Sequence, residues 1–155
     1  MNLNLGCGTD YIDGWINIDT RTDVKADIHC SIQEIEKHVE PETADQIQAT
    51  NILEHISWKE IDKVLKGLYN LLRINGKLFI RGPDINRAAE KFITKKIDEQ
   101  EFIKVVYGDQ DYLENTHKSG WSEEGLKEKL KDAGFKDIEV TWRDESWGFE
   151  IGGKR

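Results

Sequence analysis

Two glycines and an aspartate near the start of the chain have the types and spacing of a ligand site. Gly6 and Gly8 flank Cys7 directly after the apolar run Leu3 to Leu5, and Asp19 closes a second short run, Ile16 to Ile18. A glycine turn after a first parallel strand lets the backbone come close to a ligand. A carboxylate ending the next strand can accept from both hydroxyls of a ribose. The third glycine of a dinucleotide fingerprint is missing, because position 11 is Tyr11. A pyrophosphate needs that close approach, so the pattern fits a nucleoside that carries no phosphates.

Histidines offer the second kind of chemistry. His117 lies in the stretch Asn115 to Gly120, with Tyr107, Asp111 and Tyr112 upstream. An imidazole titrates near neutrality and can take a proton from a reacting group. Its plainer role would be a loop histidine bonded for structure. His55 follows Glu54 just past the run Ala44 to Thr50, with Asn51 and Leu53 beside it. Glu54 and His55 can brace the turn that follows, or act as acid and base.

These residues need a scaffold. Strands are expected at Asn2 to Leu5, Ile16 to Ile18, Lys25 to Ile28, Ala44 to Thr50, Lys77 to Ile80, Phe135 to Trp142 and Trp147 to Ile151. The fourth is unusually polar, with Asp45, Gln46 and Gln48. A short helix is expected over Ser31 to Val39. Ser57 and Glu60 have the spacing of a capping box. Ile61, Val64, Leu65, Leu68, Leu71 and Leu72 then follow helical spacing, and Asn75-Gly76 should end that helix. One or two charged helices should span Ile85 to Val106. Tyr107 to Gly120 reads as a long irregular loop, and such loops are usually functional. Ser122 caps a last helix that Gly134 ends. Trp142 and Trp147 read as packing residues of a terminal hairpin.

The stretch Leu3 to Gly8 (LNLGCG), followed by Gly14 to Asp19 (GWINID), resembles the start of class I S-adenosylmethionine-dependent methyltransferases. Ala49 to Ile56 and Leu71 to Ile80 resemble that family's fourth-strand exit and fifth strand, and Ser122 to Val140 its last helix and sixth strand. The resemblance covers nearly the whole chain in the expected order. It implies an α/β fold: a Rossmann-like, doubly wound, mostly parallel seven-stranded sheet with an antiparallel C-terminal hairpin and helices on both faces. Residues 1–155 would form one such domain, with 85–120 as a substrate-side insertion or lid.

The resemblance also implies S-adenosylmethionine as cofactor. Gly6, Cys7 and Gly8 would line its methionine part through backbone groups, and Asp19 its ribose. Ser31 takes the place of the family's adenine-binding acid, with Ile32 against the ring. Asn51, Leu53 and His55 would sit near the cofactor at the fourth strand's exit, and His117 would be the base. Some relatives bind a metal at Glu54-His55 with a further acid upstream, but that position is Asn51, so no metal is expected. The Asp/Asn-Pro-Pro-Tyr motif of amide-methylating relatives is absent; Gly82-Pro83-Asp84 is a different sequence. The acceptor is therefore expected to be a small molecule or glycan with a hydroxyl or amine. Many relatives carry a helix before the first strand that covers the cofactor. This sequence begins at that strand, which implies a more open site, or closure by a second copy or partner chain.

Bulk properties narrow the classes. The chain has 155 residues and a formal net charge of −8, from 22 basic and 30 acidic side chains. That balance argues against nucleic acid as a partner, since phosphate binding wants a basic face. No apolar run approaches bilayer length, and no signal-peptide layout is present. Cys7 and Cys30 have no metal-ligand spacing and read as free thiols in a reducing, cytoplasmic compartment. Two rival readings remain. One is a catalytically weak cofactor- or partner-binding module of the same fold. The other is a nicotinamide-dependent oxidoreductase, which the missing third glycine disfavours.

Overall fold

The computed structural model describes residues 1–143 and 147–155, with Trp142 by its backbone alone. Seven strands form one sheet: β1 (Asn2–Leu5), β2 (Ile16–Asp19), β3 (Ile28–His29), β4 (Ala44–Thr50), β5 (Leu72–Pro83), β6 (Lys136–Arg143) and β7 (Gly148–Lys154). Their order is β3-β2-β1-β4-β5-β7-β6. β1 to β5 are parallel, and β7 enters antiparallel between β5 and β6. The strand order therefore reverses between β1 and β4. In open α/β sheets that reversal leaves a crevice at the carboxyl ends of the strands, where ligands bind.

Among the described residues four α-helices complete the fold: α1 (Ile61–Leu71), α2 (Ile85–Ile93), α3 (Glu99–Tyr107) and α4 (Glu123–Ala133). α1 packs on α4 and on a short 3-10 helix, Ile32–Lys37, so these three share one face of the sheet. The strand residues of that face form the core, with Leu3, Ile47, Leu78 and Ile151 fully buried. From α1, Ile61, Leu65, Leu68 and Leu71 are fully buried against them. Each such side chain contributes roughly 1.5–3 kcal/mol relative to exposure.

The opposite face is built differently. Among the described residues, no helix joins β1 to β2 or β2 to β3. The loop between β1 and β2 instead folds back over two buried asparagines, which sit opposite each other in register. Asn4 Nδ2 donates to the Asp10 carbonyl at 2.8 Å and to Asn17 Oδ1 at 3.0 Å. Asn17 Nδ2 donates to the carbonyls of Ile12 and Trp15, and its oxygen accepts from the Ile12 N–H at 2.8 Å. Asp27 accepts from the Asn17 N–H at 2.7 Å and from the Tyr11 hydroxyl at 2.9 Å. Buried polar groups need such partners, and here they hold a loop where a helix would otherwise pack. Gln48 lies in the same sheet row as Asn4. With Gln46 and Thr50 it alternates onto this face, and all three are only partly buried. The polarity of β4 follows from that.

Several local expectations shift. Glu60, not Ser57, precedes α1, and neither side chain caps the helix. Ser57 to Glu60 instead close a turn through Glu60 N–H to the Ser57 carbonyl, at 2.9 Å. Asn75-Gly76 does not end α1. The chain turns extended at Leu72, which pairs with Ala44. Asn75 then takes φ +64° within a register shift that ends where Gln46 pairs with Lys77. The third strand is shorter and later than expected, and the segment after Ser31 is 3-10 rather than α-helical. Ser122 caps α4 by accepting from Gly125 N–H at 3.1 Å, and Gly134 ends it in the left-handed region at φ 108°. The reading of the Trp142 side chain falls outside the described residues.

Candidate active site

Two cavities open at the carboxyl edge of the sheet, and Asn51, His55 and Tyr112 line both. The smaller, of about 290 Å³, lies over β1 and β2. The larger, of about 740 Å³, lies between the exits of β4 and β5 and the loop after α3.

The smaller cavity is shaped by its glycines and one acid. Gly6 has φ +64°, and a Cβ there would lie 2.4 Å from Ile52 Cδ1. Only glycine fits that left-handed, crowded turn. Gly8 has φ +49° and donates its N–H to Asp19 Oδ2 at 2.7 Å. Asp19 Oδ1 accepts from the Arg21 N–H at 2.8 Å. Asp19 is 7 % exposed, so its carboxylate is held at the cavity edge by backbone donors. A carboxylate has about four lone-pair sites, and these bonds leave sites for a ligand diol. Ser31, Ile32 and Gln33 line the far wall. The Arg21 guanidinium lies over the Tyr112 ring, 4.3 Å from its centroid, and links the β2 exit to the loop after α3.

That loop is tied down across the larger cavity. The Lys118 and Ser119 N–H groups donate to the Glu54 carbonyl at 2.8 and 3.1 Å, and Ser119 Oγ donates to the Leu53 carbonyl at 3.2 Å. Those bonds set His117 beside His55, with ring centroids 5.0 Å apart and edge to face. His55 Nδ1 meets the Thr116 carbonyl at 3.2 Å, and His117 Nδ1 meets the Val105 carbonyl at 2.9 Å. A carbonyl only accepts, so in the neutral rings each Nδ1 is the donor in these bonds, and the His55 ring has a second backbone partner at Asn51. Burial is the main cause that holds both imidazoles below the usual histidine range, which favours this neutral form. Glu54 is 3 % exposed and lines the same cavity. Burial pushes its carboxyl up to about 7. Gly82 leaves space for it, since a Cβ there would stand 3.5 Å from Glu54 Oε2.

No protein-family model and no curated protein matches the sequence. Solved structures do match. An S-adenosylmethionine-dependent methyltransferase from Archaeoglobus fulgidus superposes with TM-score 0.72 at 15 % identity, over 99 % of this chain and 85 % of that one. The fold is that of the class I S-adenosylmethionine-dependent methyltransferases. An S-adenosylmethionine-dependent methyltransferase from Mesorhizobium loti gives TM-score 0.70 at 12 % identity, over 99 % of this chain and 90 % of that one. The CurJ carbon methyltransferase gives TM-score 0.65 at 15 % identity, and this chain spans 47 % of its length.

Within this methyltransferase fold, the expected site residues divide. Gly6, Gly8, Asp19, Ser31, Ile32 and Asn51 line the smaller cavity. Cys7 does not: its N–H donates to the Ile18 carbonyl at 3.1 Å, and its buried thiol points to the Lys25 carbonyl. Burial, with Asp19 next, pushes that thiol up from its usual range. Leu53 also turns away, into the core. His55 lines both cavities, whereas His117 and Glu54 line only the larger. Trp147, expected to pack, lines the larger cavity too. Gln33, Arg21 and Lys118 line the smaller cavity without any sequence signal pointing to them. Among the described helices, none is long and apolar enough to cross a membrane.

Proposed function

We propose that the protein is an S-adenosylmethionine-dependent methyltransferase acting on a small molecule or glycan with a hydroxyl or amine. One observation carries this reading. Two cavities share a wall at Asn51 and His55; one holds a buried acid suited to a ribose, the other a cluster of proton acceptors. The bound cofactor would supply an electrophilic methyl group on a sulfonium. Transfer from it is an in-line displacement, so the acceptor must reach that methyl across the shared wall. Asp19 would hold the ribose, with Gly6 and Gly8 letting the backbone close on the methionine part. Ser31 and Ile32 would flank the adenine. His117 lines the larger cavity with its Nδ1 on the Val105 carbonyl, and its other ring nitrogen would accept the acceptor's proton. His55 stands at the boundary between the two chambers. The free thiols of Cys7 and Cys30 suit a reducing, cytoplasmic setting.

Thermal melts with S-adenosylhomocysteine and with reduced nicotinamide dinucleotide test this reading against an oxidoreductase. S-adenosylhomocysteine should stabilise by about 2.7 kcal/mol at one hundred times its Kd, and the nicotinamide should not. Labelled methyl transfer to panels of hydroxyl and amine acceptors then separates an enzyme from a binding module. Stabilisation by the nicotinamide alone would overturn the proposal.

A further inference from the structure

We propose that Glu54, His55 and His117 form a binding site for a divalent transition-metal ion, open toward the larger cavity. One potential ligand atom from each of the three lies within 4.8 Å of the other two. Upstream of Glu54, where a third donor would be expected, the chain has Asn51. The fold brings that donor from downstream instead, on the loop that Lys118 and Ser119 fasten to the Glu54 carbonyl.

The hydrogen bonds around the cluster favour an ion. The two Nδ1 atoms meet the carbonyls of Thr116 and Val105, which orients both rings. Ligating histidines characteristically carry this kind of outer bond, which orients the ring and raises its basicity. The Glu54 carboxylate is almost wholly buried, and among the described residues no lysine, arginine or histidine forms an ion pair with it. Two imidazoles and a buried carboxylate thus converge, and among the described residues no cationic side chain pairs with that carboxylate. Two imidazoles with one carboxylate suit zinc, manganese, iron(II) or cobalt rather than magnesium or calcium. Bond lengths of about 2.0–2.2 Å would draw the three side chains somewhat closer.

What such an ion would do rests on the methyltransferase reading; that it binds does not. Its open positions would face the larger cavity, where an acceptor oxygen could coordinate and lose its proton more readily. Glu54, His55 and His117 would then hold the ion, and in the metal-free protein His117 keeps its proton-accepting role.

The test uses the full chain stripped of metal. Zinc titrated by calorimetry should bind one equivalent, and cobalt(II) should give the visible absorption of a low-coordinate site. Glu54→Gln and His117→Ala should each weaken zinc binding by at least about 100-fold, more than loss of an outer-shell partner usually costs. Circular dichroism checks that both variants fold, and S-adenosylhomocysteine titration is run on each. Neither residue lines the smaller cavity, so nucleoside binding should persist. A folded protein that binds S-adenosylhomocysteine but no zinc or cobalt would overturn the metal site and leave the functional reading standing. Zinc binding that is undiminished in both variants would overturn it as well. Zinc binding lost in the variants, in a protein that ignores S-adenosylhomocysteine, would support the metal site and count against the functional reading.

Discussion

His55 and His117 meet edge to face, 5.0 Å between ring centroids, although one follows β4 and the other precedes α4. Each ring is oriented by a carbonyl at its Nδ1, and Glu54 completes a cluster with the two imidazoles. His55 also touches the smaller cavity, and His117 does not. The pair therefore marks the boundary between the two halves of the site.

His117→Ala should lower turnover by about 10²–10⁴-fold, the usual worth of a positioned proton acceptor. S-adenosylhomocysteine affinity should stay within a factor of two or so, because the ring lines only the larger cavity. Steady-state kinetics on the acceptor, with calorimetry on the nucleoside, reads both. Normal turnover would return His117 to a structural role.

Glu54→Gln should stabilise the metal-stripped protein at alkaline pH. Burial holds the Glu54 carboxyl at about 7 in the fold, against about 4.3 in an unfolded chain. The folded state therefore retains a proton that the unfolded state releases. The stability this contributes is full below about pH 4.3 and is lost as pH rises through about 7. The loss is on the order of 4 kcal/mol, at 1.36 kcal/mol for each unit. Urea melts at pH 8 should show the variant more stable, with the two proteins converging near pH 4. Equal stability at pH 8 would show that the carboxylate is solvated or paired.

Gly6→Ala should destabilise the fold by about 1–2 kcal/mol from the left-handed backbone alone. The contact with Ile52 adds to this, since the new Cβ would stand 2.4 Å from Cδ1. Thermal melts without ligand check it. Gly8→Ala meets nothing within 4 Å of its Cβ and should lose only the backbone share.

The sequence was informative where a motif is local. Gly6, Gly8 and Asp19 lie on one strand–turn–strand unit, so spacing alone places them together. Ser122 and Gly134 likewise mark the ends of α4 by local chemistry. It was uninformative where neighbours decide. Cys7 sits between two site glycines, yet in the turn they form the thiol goes toward the Lys25 carbonyl and away from the cavity. Leu53, two residues past Asn51, opens a short 3-10 helix, Leu53–His55, that turns it into the core. The Ser57–Glu60 spacing was outcompeted by a turn, and Asn75-Gly76 was taken into the edge of β5. The polarity of β4 weakened its assignment from sequence. It reflects a sheet face covered by an asparagine-bonded loop at β1 and β2 instead of by helices. His117 was legible as acceptor-side, but its contact with His55 depends on loop bonds to the Glu54 carbonyl, which no spacing reveals.

The central claim is that the smaller cavity takes a nucleoside through Asp19. Calorimetric titration of S-adenosylhomocysteine into the protein, and into Asp19→Ala and Asp19→Asn, tests it most directly. The account predicts saturable binding to the parent, weakened by roughly 1.5–3 kcal/mol in Asp19→Ala, the range for hydrogen bonds to a charged group. That corresponds to about a 10- to 150-fold rise in Kd. Asp19→Asn should lose less, because its amide oxygen can still accept. Binding that is absent at millimolar ligand, or of equal strength in all three proteins, would contradict the account.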